Sequence, residues 1–259
     1  MIDIMGLPRL VRERWDMTKR DLRMVSLLLQ GKHPAPLIPL VQSDVVRLAL
    51  QPRALRVREV IHETPDAVTL VLTDPSGGSL RCEPGQFFTV LVTIAGKVER
   101  RAYSASSYVA DGSVLTLTCK RMNGGRVSTY LHEYAHPGMM LQVLGPSGNF
   151  TATPQSGNRR HLVLIGGGSG ITPLHCIAQA VLVIEKESSI TLLYGNRSRS
   201  DIIFAESLAR LATEHHQRFT LHHVLVEPEI NFPSGIGILD QSTIERELSH
   251  LAQDAGTTH

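Results

Sequence analysis

The sequence predicts two consecutive domains, an antiparallel β-barrel followed by a doubly wound parallel α/β sheet. Short runs of apolar residues alternate with period two over residues 51–154, and longer continuous apolar runs alternate with helical patterns over residues 155–259. Proline and polar turn residues at 154–158 mark the change between these patterns. Residues 1–50 are predicted to form a separate helical extension, because helical spacing over 15–30 precedes a proline-rich stretch.

The barrel strands are predicted from five short runs of alternating apolar residues that end at turn clusters such as Pro75-Ser76-Gly77-Gly78 and Asp111-Gly112. This spacing is typical of a small Greek-key barrel or sandwich. One helix is expected inside this domain over residues 127–134, because Gly124-Gly125 precedes it and Pro137-Gly138 follows it. The alternating runs cover residues 55–60, 68–72, 87–92, 114–117 and 140–143.

The parallel sheet is predicted from three apolar runs, at 161–165, 190–194 and 219–226, which have the composition of strands covered on both faces. Helical patterns over 173–186 and 202–213 separate them. Either Asp240 or Ser242 is expected to cap a last helix. Alternating strands and helices of this kind form a parallel sheet with right-handed crossovers.

Composition excludes several classes of function. The formal net charge of +2 gives no global attraction to nucleic acid, so we expect no nucleic-acid partner. Cys82, Cys119 and Cys176 lie far apart and form no metal-ligand pattern, which predicts buried thiols in a reducing compartment. No apolar run is long enough for a transmembrane segment and no secretory signal is evident, so a cytoplasmic location is expected.

A glycine-rich turn, Gly166-Gly167-Gly168-Ser169-Gly170-Ile171-Thr172-Pro173, joins the first predicted parallel strand to a helix. Amide groups at such a turn bind a diphosphate, although the spacing is neither GxGxxG nor a P-loop. The next strand ends in Tyr194-Gly195-Asn196-Arg197-Ser198-Arg199, with no acid before Asp201. In a dinucleotide fold, arginines at this point favour the 2′-phosphate of NADP over NAD.

The barrel carries two further motifs. Arg101-Ala102-Tyr103-Ser104 combines a cation for phosphate, an aromatic face and a hydroxyl. The segment 119–128 places Gly124-Gly125 at the start of a helix, with Ser128 in its first turn. This helix N-terminus is a second place where a diphosphate is expected to bind.

The order of these motifs, with Gly145-Pro146-Ser147-Gly148-Asn149-Phe150 between the two domains, resembles the ferredoxin–NADP reductase superfamily over residues 53–247. The resemblance implies FAD on the barrel, NADP or NAD on the parallel sheet, and hydride transfer from nicotinamide C4 to flavin N5 without a general base. It also implies an acceptor for single electrons, either an iron–sulfur protein (ferredoxin-like) or a haem protein, such as the acceptor of an oxygenase or desaturase.

The resemblance implies a role for each matching residue. Arg101 would hold the FAD pyrophosphate, Tyr103 would lie against the isoalloxazine, and Ser104 would hydrogen-bond near flavin N5. Thr172 would lie near the junction of the two rings, which makes Ser104 and Thr172 the candidate catalytic residues. The other candidate cofactor-binding residues are Cys119, Lys120, Gly125, Arg126, Val127 and Ser128 for FAD, and Gly167, Gly168, Gly170, Arg197 and Ser198 for the nicotinamide dinucleotide.

The chain departs from the family near its end, where family members continue into a further parallel strand with a Cys-Gly-Pro motif. We therefore expect a truncated reductase in which the strand at 161–165 has an unpaired edge and exposed apolar surface. Under this expectation, an alternative function is an FAD-binding subunit with impaired catalysis and no enzymatic role.

The sequence His132-Glu133-Tyr134-Ala135-His136 matches the zinc-peptidase pattern HExxH. Because Pro137 ends the predicted helix at the second histidine and no third ligand is evident, we interpret these residues as exposed histidines at a helix end. No metal site is predicted.

Overall fold

The computed structural model describes residues 51–254, so the predicted N-terminal extension lies outside the described residues. Within them, ten strands and four α-helices form two domains. The first contains β1 Arg53–Thr64, β2 Ala67–Thr73, β3 Phe87–Ile94, β4 Lys97–Ser104, β5 Leu115–Lys120, α1 Arg126–Tyr134 and β6 Met140–Ser147. The second contains β7 His161–Gly167, α2 Ile171–Ile184, β8 Ser189–Asn196, α3 Ala205–Glu214, β9 Phe219–Leu225, β10 Gly235–Ile236 and α4 Gln241–Asp254.

The first six strands form an antiparallel sheet in the order β4-β3-β6-β1-β2-β5. A bridge between Ala105, directly after β4, and Leu117 of β5 closes this sheet into a barrel. Strand β6 returns to lie between β1 and β3, as in a Greek key. The predicted barrel is confirmed. Strand β4 was not among the predicted apolar runs, because its sequence KVERRAYS is mostly polar and mostly exposed.

The barrel core contains the alternate residues that the period-two pattern predicts. Leu55, Leu72, Leu117 and Leu141 come from four different strands and are all buried. Helix α1 packs Val127 and Leu131 into the same core. The opposite faces of β2 and β5 point away from this core, toward the second domain.

The second domain is a parallel sheet in the order β10-β9-β8-β7, with α2 and α3 as the crossover helices. This confirms the predicted parallel α/β sheet. Strand β7 pairs only with β8 among the described residues, and Val163 and Ile165 are 46% and 38% exposed. The expected unpaired edge is therefore present in the described part of the chain.

The helix boundaries show two local effects that apolar spacing alone does not encode. Helix α3 begins at Ala205 rather than at 202, because a 3-10 turn occupies Arg199–Asp201 and Phe204 adopts a left-handed conformation with φ of 63°. Helix α4 is capped by Asp240, whose Oδ1 accepts the backbone N–H of Thr243 at 2.8 Å. Ser242, the alternative cap, instead donates its hydroxyl to Asp240.

Helix α2 joins the two domains. Its Cys176 packs in the barrel core, and Ala67 of β2 packs in the core of the parallel sheet. The Nδ1 atom of His175 lies 2.6 Å from the carbonyl oxygen of Ser106, and the side-chain oxygen of Gln179 accepts the backbone N–H of Tyr108 at 2.8 Å. The loop after β4 is therefore fixed against α2.

The segment between the domains is anchored by Glu185, which follows α2 and is fully buried. Its carboxylate accepts hydrogen bonds from Arg160 at 2.7 Å, from the Asn158 amide at 2.7 Å and from the Gln155 backbone at 3.3 Å. Burial alone would raise the pKa of Glu185, but these hydrogen bonds lower it to about 2.

Replacing Glu185 by Gln removes the charge that Arg160 and Asn158 surround, and we expect a loss of about 2 kcal/mol in the free energy of unfolding. The folded-state pKa is depressed from 4.5 to about 2, so this stabilisation is present above pH 4.5 and is lost as the pH falls toward 2. Urea unfolding at several pH values measures it. The matched control is Glu214→Gln, an exposed residue that should change stability by less than about 0.5 kcal/mol. Equal changes in the free energy of unfolding for both substitutions at pH 7 would contradict the role of Glu185 as an anchor.

Candidate functional site

A cleft of about 410 Å³ lies between the barrel and the glycine-rich turn before α2. Both domains contribute to it, so its walls depend on the contacts that α2 makes with the barrel. It is lined by Arg101, Ala102, Tyr103 and Ser104 of β4, Thr118 and Lys120 of β5, Met122, Gly125 and Ser128 near the start of α1, and Ser169 and Thr172 of the second domain.

Tyr103 is held in the wall of this cleft by Cys119, whose thiol lies 3.2 Å from the phenol oxygen. Burial raises the pKa of Tyr103, and it also raises the pKa of Cys119 to about 11, so both groups are neutral at ordinary pH. The Cys119 side chain points into the barrel core and does not line the cleft. The Cys119 side chain therefore contacts Tyr103, and the predicted contact of Cys119 with a cofactor stays a prediction.

The N-terminus of α1 leaves its first amide groups without a side-chain cap, since Gly125 occupies the N-cap position. Ser128 instead accepts the backbone N–H of Met122 at 3.1 Å, which fixes the turn before the helix. Arg126 points elsewhere and forms an ion pair with Glu99 at 2.8 Å. Val127 is buried in the barrel core, so only its backbone is available to a ligand.

A second cleft of about 280 Å³ adjoins the first, and Lys120 lines both. It lies at the carboxyl ends of the parallel strands, the edge where α/β sheets bind ligands. Its other lining residues are Gly167, Gly168, Gly195, Asn196, Arg197, Val226, Gly237, Ile238 and Leu239.

The glycine-rich turn combines an unusual backbone with open space. Gly168 has φ of +51°, a conformation that favours glycine, and the hydroxyl of Tyr194 donates to its carbonyl oxygen at 2.9 Å. A Cβ atom built on Gly168 or Gly170 meets no protein atom within 4 Å. Thr172 donates to the carbonyl oxygen of Ser169 at 3.1 Å and so fixes the start of α2. The turn leaves room for a ligand to approach its backbone closely.

Asn196 is 8% exposed, and neither atom of its side-chain amide makes a hydrogen bond of normal length and angle within residues 51–254, although the amide lies near the Tyr194 phenol. An unpaired buried amide costs about 1–3 kcal/mol, so a ligand that supplies both a donor and an acceptor fits this position. Asn196 was given no role from the sequence, although its place at the end of β8 was a usable signal. Thr118 was also missed, although it shares a strand face with Lys120.

Asp201 holds the two residues that were expected to meet the adenosine end of the dinucleotide. Its Oδ2 lies 3.1 Å from Nε of Arg197 and accepts the Ser198 hydroxyl at 2.7 Å. Partial burial would raise the pKa of Asp201, but the Ser198 and Arg197 contacts lower it overall. Arg199 turns away, to Glu229 at 3.3 Å and to the Phe232 ring. The two arginines are therefore each paired with a carboxylate.

The structure brings most of the predicted site residues into the two clefts, and a few lie outside. Cys119, Arg126 and Val127 contact other parts of the barrel. Gly170 and Ser198 belong to the turns beside the second cleft without lining it. The residues that line a cleft are Arg101, Tyr103, Ser104, Lys120, Gly125, Ser128 and Thr172 in the first, and Lys120, Gly167, Gly168 and Arg197 in the second.

The HExxH sequence does not form a metal site in the described chain. Helix α1 ends at Tyr134, and His136 lies beyond it and contacts the carbonyl oxygen of Pro137. His132 contacts the carbonyl oxygen of Pro65 at 3.0 Å. Residues 51–254 contain no group of three metal-ligating side chains suited to hold an ion.

Two family models match the chain, an oxidoreductase FAD-binding domain over residues 54–152 and an oxidoreductase NAD-binding domain over residues 164–259. One component of the 1,2-phenylacetyl-CoA epoxidase of Escherichia coli K12 is 34% identical over 199 residues, which are 76% of this chain and 52% of that protein. The ferredoxin reductase component of the Mycolicibacterium smegmatis 3-ketosteroid-9-alpha-monooxygenase is 37% identical over 201 residues, 74% of this chain and 56% of that protein.

Among solved structures, a cytochrome P450 reductase from Amycolatopsis superposes with a TM-score of 0.65 at 28% identity, covering 75% of this chain and 58% of that one. The fold and the two matched models define the class of protein: an FAD-binding domain followed by an NAD-binding domain, both of the oxidoreductase type. The chain belongs to the ferredoxin–NADP reductase superfamily, as its motif order predicts. It spans about half the length of the curated relatives it matches.

These relatives do not favour the alternative of a non-enzymatic subunit, because reductase components are prominent among them. The described residues include no helix whose length and apolar character would let it cross a bilayer.

Replacing Gly168 by Ala places a methyl group in the open space beside the turn and strains a backbone with φ of +51°. We expect the Kd for NADP⁺ to rise about tenfold, equivalent to about 1.4 kcal/mol, and stability to fall by about 1 kcal/mol. Titration calorimetry and thermal unfolding measure the two effects. Gly157→Ala is the control, because Gly157 also has open space around it but lies outside both clefts. Unchanged NADP⁺ affinity in Gly168→Ala would contradict the prediction that this turn binds the dinucleotide.

Proposed function

We propose that this chain transfers electrons from a reduced nicotinamide dinucleotide, through FAD, to a protein that accepts them singly. One observation carries the proposal: the two clefts adjoin along Lys120, and Thr172 of the second domain faces the β4 wall of the first cleft. Bound FAD would accept a hydride and release electrons one at a time. The protein's contribution is to align two flat rings and exclude water between them.

The proposed FAD site uses the wall of the first cleft. Arg101, whose guanidinium contacts only the Arg100 carbonyl oxygen among the described residues, is free to bind a phosphate. The uncapped amides at the start of α1 provide a second anion site. Tyr103, held by Cys119, presents an aromatic face, and Ser104 presents a hydroxyl next to it. These groups match the phosphates and the ring of FAD.

The proposed dinucleotide site uses the second cleft. The open backbone of Gly167, Gly168 and Gly170 suits a pyrophosphate, with the N-terminus of α2 behind it. The unpaired amide of Asn196 suits a polar group of the ligand. Thr172 lies in the first cleft and would contact the nicotinamide side of the FAD ring.

We propose NADPH as the preferred donor, with a modest preference over NADH. Arg197 lines the second cleft and is the cation suited to a 2′-phosphate. Its ion pair with Asp201 must be weakened when the phosphate binds, which limits the gain. The preference therefore depends on competition between one carboxylate and one phosphate for the same guanidinium.

The proposed acceptor is an iron–sulfur protein or a haem protein, such as an oxygenase or desaturase component. Support comes from the two relatives, whose names assign them to an epoxidase and a monooxygenase.

We also propose a reducing, cytoplasmic location, because none of the three cysteines is disulfide-bonded.

The test of this function is anaerobic stopped-flow mixing of the FAD-loaded protein with NADPH or NADH, followed by flavin absorbance. Bleaching by both, faster with NADPH, is expected. Material that takes up FAD but is bleached by neither donor would refute the enzymatic proposal.

Replacing Arg197 by Ala is expected to raise the KM for NADPH about tenfold and to leave the KM for NADH nearly unchanged, because only NADPH carries the 2′-phosphate. Asp201→Asn should act in the opposite direction and lower the KM for NADPH, since it frees the guanidinium. Arg210→Ala, an exposed arginine on α3, serves as the control. Steady-state reduction of ferricyanide measures all three. Parallel changes in both KM values for Arg197→Ala would argue against a 2′-phosphate contact.

A further inference from the structure

A row of hydroxyl groups leads from the first cleft to a carboxylate between the two domains. The Oγ1 atoms of Thr118 and Thr69 lie 2.7 Å apart, and Thr69 Oγ1 lies 2.7 Å from Oε1 of Glu63. On its other side Thr118 contacts the Ser106 hydroxyl at 2.9 Å. Only Thr118 among these residues lines the cleft.

The barrel pattern explains why these hydroxyls meet. Thr69 of β2 and Thr118 of β5 are direct partners in the antiparallel register. Their neighbours in each strand, such as Leu70 and Leu117, point into the barrel core, so both threonines point outward to the second domain. Thr69 is 4% exposed and Thr118 is 3% exposed. Solvent is therefore nearly excluded from these two threonines, whose hydroxyl groups contact each other directly.

Glu63 lies at the outer end of the row and is half-buried. Burial is the largest influence on its carboxyl group and raises the pKa of Glu63; the Thr69 hydroxyl and the Phe204 backbone amide lower it, and Glu206 on α3 raises it further. The phenol of Tyr194 on β8, whose pKa is raised chiefly by burial, is also influenced by the charge of Glu63. Glu63 can therefore change its protonation state nearer to neutral pH than an exposed glutamate.

We infer that Thr118, Thr69 and Glu63 form a relay that moves a proton between the first cleft and the space outside the domain interface. This inference rests on the proposed function, in which FAD gains one hydride, which is two electrons and one proton. When two one-electron acceptors remove the two electrons, one proton is left to be released. Thr118 Oγ1 accepts that proton and gives its own to Thr69 Oγ1, which gives its own to Glu63 Oε1. Two electrons leave with the acceptors, and the neutral Glu63 then releases the proton to water.

The geometry permits both end states of the relay, because a hydroxyl group donates one hydrogen and can rotate it to either neighbour. With Glu63 ionised, the Ser106 hydroxyl donates to Thr118, Thr118 donates to Thr69, and Thr69 donates to the carboxylate. With Glu63 protonated, Glu63 donates to Thr69, Thr69 donates to Thr118, and Thr118 donates to the Ser106 hydroxyl. Every contact along the relay is satisfied in both states, which differ by one proton.

The relay is tested by oxidising photoreduced, FAD-loaded protein with ferricyanide while a pH indicator reports proton release. Photoreduction needs no nicotinamide nucleotide. Thr69→Val and Glu63→Gln should each slow proton release at least about tenfold, with FAD content unchanged. Thr116→Val is the matched control: it removes a hydroxyl on the same strand face that contacts Ser106 at 3.1 Å but lies outside the relay, and it should release the proton at the wild-type rate.

A second measurement is independent of turnover. Carboxyl-carbon NMR of the oxidised, FAD-loaded protein should show a higher Glu63 pKa in Thr69→Val, because the ionised carboxylate loses a donor, and no change in Thr116→Val. Wild-type proton release in either Thr69→Val or Glu63→Gln, equal slowing in Thr116→Val, or an unchanged Glu63 pKa in Thr69→Val would each overturn the relay. If NADPH cannot bleach the oxidised, FAD-loaded protein, the proposed function is refuted. The relay is still tested in that case, because photoreduction supplies the reduced FAD without NADPH.

Discussion

The packing of helix α2 against the loop that follows β4 is the contact on which both clefts depend. His175 is 3% exposed and joins the Ser106 carbonyl oxygen at 2.6 Å to the Ser207 hydroxyl at 2.9 Å, with its ring stacked on Phe204. Burial lowers the pKa of His175 to about 4, so it stays neutral and can donate from one nitrogen while it accepts at the other. Because α2 begins at the glycine-rich turn, this contact fixes the distance between the two candidate diphosphate sites.

The polar groups of the clefts and those that hold the domains together differ in how many hydrogen-bond partners they have. Two groups that face the clefts, the Arg101 guanidinium and the Asn196 amide, have few partners within residues 51–254 and are available to ligands. Groups that hold the domains together are fully paired, as Glu185 is by Arg160 and Asn158. Buried polar groups that are fully paired specify one domain arrangement, and unpaired ones mark where a ligand completes the structure.

Apolar periodicity predicted most of the fold because it reports which strand face is buried. It failed for β4, whose polar residues face a cleft and whose alternation is therefore hidden. Motif order predicted site residues, most of which line the two clefts. It did not predict that the Cys119 thiol contacts the Tyr103 phenol, that Asp201 pairs with Arg197, or that Asn196 is unpaired. These features depend on the directions of side chains, which motif order does not encode.

The proposed function requires that the two adjoining clefts hold FAD and a pyridine nucleotide with their rings in contact. A crystal structure of the protein with FAD and NADP⁺ would show this arrangement directly. We predict the FAD ring against Tyr103 and Ser104, the NADP⁺ pyrophosphate against Gly167 and Gly168, and Lys120 between the two molecules. Clear density for either cofactor elsewhere on the chain, or rings held apart by intervening protein, would contradict it.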